Sequence, residues 1–173
     1  MRAFLLSLLF IACTHLNAQT DFSIAKTPIV FIHGFLASGD TWSNAFDFFQ
    51  MQGYNKNQLF VFDWNSISGN NQQTDTLLSK FIDEVLKKTG ASQVDLVAHS
   101  AGGGLARNLL KDSIQASKVA HYAHIGSRKW TTAYPWFPNA KCINIFSTGD
   151  KVAGNAAGKI EGATNLAFGL LDH

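Results

Sequence analysis

Val94-Asp95-Leu96-Val97-Ala98-His99-Ser100-Ala101-Gly102 is the stretch on which the fold of this chain turns. Its first five residues are apolar but for Asp95 and read as a short buried strand; Leu105 to Lys111 reads as a helix. Between them, Ala98-His99-Ser100-Ala101-Gly102 has the form of a nucleophile elbow with alanine in place of the usual first glycine. A turn that tight tolerates only small residues on either side of the serine. It would hold Ser100 above the edge of a sheet, at the N-terminus of a helix whose dipole favours developing negative charge. A plain Ser-Gly turn could carry the same residues, and the flanking strand and helix are what argue for the elbow. Gly102-Gly103-Gly104 does not read as a phosphate loop, because no Gly-Lys-Ser/Thr follows and G-x-G-x-x-G spacing is absent.

Outward from this point, apolar runs alternate with amphipathic stretches, without an internal repeat or a Pro/Gly-rich linker. Ile29–Ile32 and Leu59–Phe62 read as strands before the elbow, with a helix from about Trp42 to Gln52 between them. Thr74 to Thr89 is the clearest helix: Leu77, Leu78, Phe81, Ile82, Val85 and Leu86 recur at helical spacing, and Gly90 stands where a helix stops. Val119–Ile125, Cys142–Phe146 and a short Asn165–Phe168 read as later strands. The order predicts an α/β fold: a doubly wound, mainly parallel sheet of about six strands with helices on both faces. Such sheets bind ligands at the carboxyl ends of their strands.

Composition narrows the function. The chain has 173 residues, 46% hydrophobic and 15% charged, which fits one globular domain with a substantial core. A formal net charge of +2, with scattered Lys and Arg, gives no footprint for nucleic acid. Residues 1–18 read as a signal peptide: Arg2, an apolar run from Ala3 to Cys13, and a cleavage-like Leu16-Asn17-Ala18. The run is too short to be a stable membrane span. The mature domain is then 19–173, secreted or periplasmic. The alternative is a lipoprotein anchored through Cys13, since Phe10-Ile11-Ala12-Cys13 is close to a lipobox. Cleavage after Ala18 would leave Cys142 as the sole cysteine and no intramolecular disulfide. No His-Glu-x-x-His and no paired cysteines point to a catalytic metal, so no cofactor or metal is expected.

Acyl transfer needs donors for an oxyanion, usually two backbone N–H groups. One would come from Ala101, directly after the serine. Ile32-His33-Gly34-Phe35 ends the first strand and would supply the second from Phe35, although an ordinary glycine turn is an equal reading. Taken together, Val30-Phe31-Ile32-His33-Gly34-Phe35 and Val94 to Gly102 resemble the small lidless bacterial lipases (lipase class 2, lipase A type) of the α/β-hydrolase superfamily. Alanine at the first elbow position is common in that family. Leu59-Phe60-Val61-Phe62-Asp63-Trp64 and Ser147-Thr148-Gly149-Asp150 also resemble its segments, so the likeness runs from Ile29 to His173. It implies a minimal α/β-hydrolase fold with a closing helix after His173.

The family's acid lies in a Ser-x-x-Asp segment, which maps onto Asp150; read by itself, Asp150 also lies in the loop that follows the apolar Cys142–Phe146 run. Asp63 also ends a strand but precedes Ser100, against the Ser-Asp-His chain order of the fold. Asp172 lies too close to the base to reach behind it. His173 is the histidine downstream of Asp150, and Gly-Leu-Leu-Asp-His resembles the family's histidine loop. His33, Gly34, His99 and Gly102 are then supporting motif positions, while His121 and His124 belong to a strand. The expected activity is hydrolysis of small-molecule or lipid esters by a monomer. An acyltransferase, polyester depolymerase, lactonase or amidase with the same triad, or a non-catalytic module, are the alternatives. Short connections after Ile125 predict a shallow, lidless site for short to medium acyl chains. Trp130, Tyr134, Trp136 and Phe137 either line an acyl-binding wall or pack their loop onto the body.

Overall fold

Apolar runs too short to bury themselves must pair with one another, and parallel pairing needs the intervening helices as crossovers. The computed structural model describes residues 26–68, 72–169 and 173; the segment 1–18, with Cys13 and His15, lies outside the described residues, as does Asp172. The strands are β1 (Ile29–Ile32), β2 (Leu59–Phe62), β3 (Val94–His99), β4 (Val119–Ile125), β5 (Cys142–Ser147) and β6 (Thr164–Phe168). The α-helices are α1 (Ser43–Met51), α2 (Gln72–Thr89), α3 (Ala101–Leu109) and α4 (Ser113–Ser117). The strands form a six-stranded sheet in the order β2-β1-β3-β4-β5-β6, with every pairing parallel. This is the doubly wound sheet the sequence predicts.

Strand β1 is the reason both faces are covered. Val30 and Ile32 point to one face, against Leu78, Ile82 and Val85 of α2 and Leu105, Ala106 and Leu109 of α3. Ile29 and Phe31 point to the other, against Trp42 and helix α1. The Phe31 ring lies 5.2 Å from those of Trp42 and Phe46 and 5.7 Å from that of Phe49. Burying one such side chain contributes roughly 1.5–3 kcal/mol. Along α2 the expected apolar stripe is present except at Leu77, which is half exposed. Gly90, at φ +70°, ends that helix with its N–H on Leu86 O.

Helix α3 starts at Ala101, four residues before the expected Leu105. Glycine disfavours a helix by about 1 kcal/mol per residue, so three in succession hide its start. Tertiary packing selects them. A Cβ on Gly102 would sit 2.5 Å from His33 O, and one on Gly103 would sit 2.3 Å from Ser127 Oγ. Local pattern also misses α4, which Asp112 caps by accepting the Ile114 and Gln115 N–H groups at 2.9 Å each. At the far edge β6 is mostly exposed, and Ile143, Leu166 and Phe168 are each 44% accessible. Among the described residues no helix is long and apolar enough to cross a membrane.

The chain leaves β1 toward β2 on one side and returns across it to β3 on the other. The crevice beyond β1 and β3 is therefore a topological switch point. It is where the Gly34 turn and Ser100 stand.

Candidate active site

Ser100 follows directly on β3 with φ 51° and ψ −121°, a conformation that L-residues avoid at a cost of about 1–2 kcal/mol. Hydrogen bonds on both sides hold it there. The Ser100 N–H donates to Ile125 O at 3.0 Å. Its carbonyl accepts the Ser127 hydroxyl at 2.7 Å, and that hydroxyl also lies 3.1 Å from Ile125 O. Gly102 and Gly103 let α3 descend against β1 and the Ser127 loop, which leaves the Ser100 side chain on the outside of the bend.

The three residues expected from chain order meet. Ser100 Oγ donates to His173 Nε2 at 2.6 Å, and His173 Nδ1 donates to Asp150 Oδ2 at 2.8 Å. Asp150 Oδ1 accepts the Val152 and Ala153 N–H groups, both at 2.8 Å. The carboxylate is buried, 6% exposed, and each of its oxygens is satisfied. Burial by itself would raise its pKa. The hydrogen bonds from His173, Ala153 and Val152 outweigh that and hold the group below the usual carboxylate value, so it stays charged behind the imidazole.

His99 packs beside this pair, its ring 4.9 Å from that of His173. Burial lowers its pKa, a positive His173 would lower it further, and Asp150 partly opposes both. It thus packs beside the base in surroundings that disfavour its own protonation. Gly34 lies against the serine: a Cβ there would approach Ser100 Cβ to 3.0 Å and His99 Nδ1 to 3.2 Å. Next to it Phe35 and Leu36 are exposed, and Leu36 takes φ 54° with its N–H given to Ser66 Oγ at 2.9 Å.

His33 is fully buried and pins this turn. Its Nδ1 donates to Gly34 O at 2.9 Å, and its Nε2 lies 3.1 Å from the Trp64 N–H. Trp64 stacks on the ring and donates Nε1–H to His33 O at 3.0 Å. Asp63, set aside by chain order, sits 2.9 Å from His33 Nε2 and far more exposed than Asp150.

A cleft of about 310 Å³ opens beside Ser100 and His173, walled by Ala101, Gly104, Arg107, Arg128, Val152 and Ala153. The aromatic loop is not part of its wall. Trp130 and Phe137 are buried in the main core, and only Trp136 is prominently exposed, so these rings pack the loop onto the body. Of the strand histidines, His121 is exposed and 2.9 Å from Asp95, and His124 is buried. Ser66, Arg107, Ser127 and Arg128 were not singled out from sequence. Ser127 follows the carboxyl end of β4, and that position alone could have marked it. Among the described residues no cluster of three His, Cys, Asp or Glu side chains is arranged to hold a metal ion.

Sheet order and the strained bend between β3 and α3 are those of the α/β-hydrolase fold. Residues 26–126, more than half of the chain, match the family Lipase (class 2), and the chain belongs to that family. Among solved structures it is similar to the mature form of lipase BlEst2 from Bacillus licheniformis, with 19% identity, a TM-score of 0.60, and coverage of 86% of this chain and 85% of that one. It is also similar to an α/β-hydrolase enzyme from a lagoon-sediment metagenome, Mar Chica in Morocco: 16% identity, TM-score 0.61, 85% and 82% covered. A monoacylglycerol lipase from Paleococcus ferrophilus gives 12% identity, TM-score 0.59, and 85% and 87% covered. At these identities the likeness establishes the shared fold.

Proposed function

We propose that this chain hydrolyses carboxylic esters through an acyl-enzyme on Ser100. One observation carries the reading: a single imidazole, His173, bridges the serine hydroxyl at 2.6 Å and a buried carboxylate at 2.8 Å. Its Nδ1–H is committed to Asp150, which leaves the Nε2 lone pair for the serine proton. As Oγ bonds to the ester carbonyl carbon, the proton passes to Nε2 and negative charge gathers on the carbonyl oxygen. The backbone N–H groups of Phe35 and Ala101 receive that charge. Leu36 N–H is held by Ser66, so Phe35 is the donor its turn has left to offer. Collapse breaks the ester C–O bond, and the alcohol departs with the Nε2 proton. Water, deprotonated by the same nitrogen, then attacks the acyl group and releases the acid and free Ser100. Asp150 keeps the imidazole in the productive tautomer and stabilises its cation throughout.

Ser100→Ala should lower turnover on p-nitrophenyl esters by on the order of 10⁶, by analogy with other triads. A fluorophosphonate probe should label the native chain and not the variant. Undiminished hydrolysis or labelling in Ser100→Ala would refute the assignment. The open cleft beside Ser100 supports esters of short to medium acyl chains. Residues 1–18 act in this reading as an export signal that delivers domain 19–173 to the periplasm or medium, with anchoring through Cys13 as the alternative route.

A further inference from the structure

We propose that Arg107 and Arg128 form an anion subsite in the cleft beside Ser100, so that the preferred ester carries a carboxylate or phosphate on an otherwise apolar arm. The inference rests on the esterase reading and specifies its substrate class. Both guanidinium-bearing residues line the cleft that holds Ser100 and His173, and much of the rest of its wall is small or apolar, with Ala101, Gly104, Val152 and Ala153. A substrate arm lying in this cleft would meet an apolar wall and two positive charges.

Neither arginine has a carboxylate partner among the described residues. The ion pairs there join Lys118 to Asp83 and three histidines to Asp63, Asp95 and Asp150. Asp150, behind His173, directs one oxygen to that imidazole and the other to two amides, and so does not pair with either arginine. General basicity does not explain the two charges either, since the whole chain carries only +2.

Arg107 is also held in place. Its Nε donates to Tyr134 Oη at 3.1 Å, its Nη1 to Arg128 O at 3.4 Å, and its guanidinium lies 5.8 Å from the Trp130 ring. A guanidinium fixed this way loses little further freedom when an anion docks, and its planar fork suits carboxylate and phosphate oxygens. The spacing follows from the helix: Arg107 is six residues after Ala101, roughly 9 Å along the axis. Arg128 follows Ser127, whose hydroxyl holds the Ser100 carbonyl.

A substrate-preference ratio tests this. In one arm kcat/KM is measured for the p-nitrophenyl half-ester of adipate and for p-nitrophenyl hexanoate, an uncharged ester of equal acyl length. In the second arm, vesicles of dilauroyl phosphatidylglycerol are compared with dispersed dilauroylglycerol, which separates a lipid headgroup from a soluble anion. The anionic-to-neutral ratio should fall about tenfold in Arg128→Gln in at least one arm, fall again when Arg107→Gln is added, and recover in large part in Arg128→Lys. It should also fall with rising salt, and stay unchanged in Lys87→Gln on the distant end of α2. Arg128 is exposed, so its variants test the idea even if Arg107→Gln impairs folding. Ratios unaffected by Arg128→Gln in both arms, with Ser100-dependent hydrolysis of the hexanoate intact, would overturn the subsite. Hexanoate hydrolysis that does not require Ser100 would overturn the esterase reading, and the subsite with it.

Discussion

Acidification from neutral pH should destabilise this protein, and His124 is one group through which it acts. It lies in β4 with no solvent exposure. Its Nδ1 accepts the Tyr122 hydroxyl at 2.7 Å, its Nε2 donates to Arg128 O at 3.1 Å, and the Trp130 ring stands edge-on at 5.0 Å. Burial lowers its pKa from 6.5 to about 4; the Arg107 charge adds to this and the Arg128 carbonyl opposes it. An unfolded chain protonates this histidine near pH 6.5. Between that pH and about 4 the unfolded state binds a proton the native state refuses, so each step downward favours unfolding. The contribution is complete above pH 6.5 and is lost as pH falls toward 4. A gap of about 2.5 pH units corresponds to about 3 kcal/mol. Urea unfolding of the native chain and of His124→Gln, from pH 7 to 4.5, isolates the effect. His99, Asp75 and Asp95 titrate in both proteins and cancel in the difference. The variant should be less stable at pH 7 by about 1–3 kcal/mol, and the gap should narrow by about 2 kcal/mol at pH 4.5. Two stability curves that stay parallel across this range would refute the reasoning.

Two other changes probe the site and its scaffold. Asp150→Asn cannot satisfy both sides of the carboxylate, because an amide that accepts from Val152 and Ala153 must turn its NH₂ toward His173 Nδ1–H. Turnover on a soluble ester should drop by on the order of 10³–10⁴ through the wrong tautomer, and a loss below tenfold would contradict the orienting role. Because the folded pKa of Asp150 is depressed, its share of stability is present above the unfolded value near 3.9 and lost as pH falls through the folded one. The stability difference between native chain and variant should therefore shrink below about pH 4. Gly102→Ala drives a methyl to 2.5 and 2.7 Å from the His33 and Ile32 carbonyl oxygens, which cannot retreat, whereas Gly90→Ala meets open space and only the strain of φ +70°. Thermal unfolding should show a cost of roughly 1 kcal/mol at Gly90 and at least 3 kcal/mol at Gly102. Equal costs would mean that α3 and β1 are not in the close contact described.

Much of the fold was legible because its information is local. Val30-Phe31-Ile32 and Leu59–Phe62 are short apolar runs that suit strands buried in a sheet, and α2 carries its stripe at helical spacing. The start of α3 was illegible for the opposite reason. Gly102 and Gly103 are poor helix formers, and only backbone and side chains distant in sequence, Ile32, His33 and Ser127, require them there.

At the site the same division holds. Ser100, Asp150 and His173 could be chosen from the chain alone because each follows a strand or closes the order Ser-Asp-His, and strand ends in a parallel sheet share one edge. The sequence likewise offered the aromatic loop two fates. Tertiary packing took one of them, since Trp130 and Phe137 gain more in the core than at a cleft rim. Residue order could not reveal Ser127 on the Ser100 carbonyl, Ser66 on the Leu36 amide, or two arginines sharing a wall with the serine. Those contacts join residues of ordinary type across separate crossovers, and which side chains meet at a sheet edge is settled by strand order and register, quantities no short stretch of sequence contains.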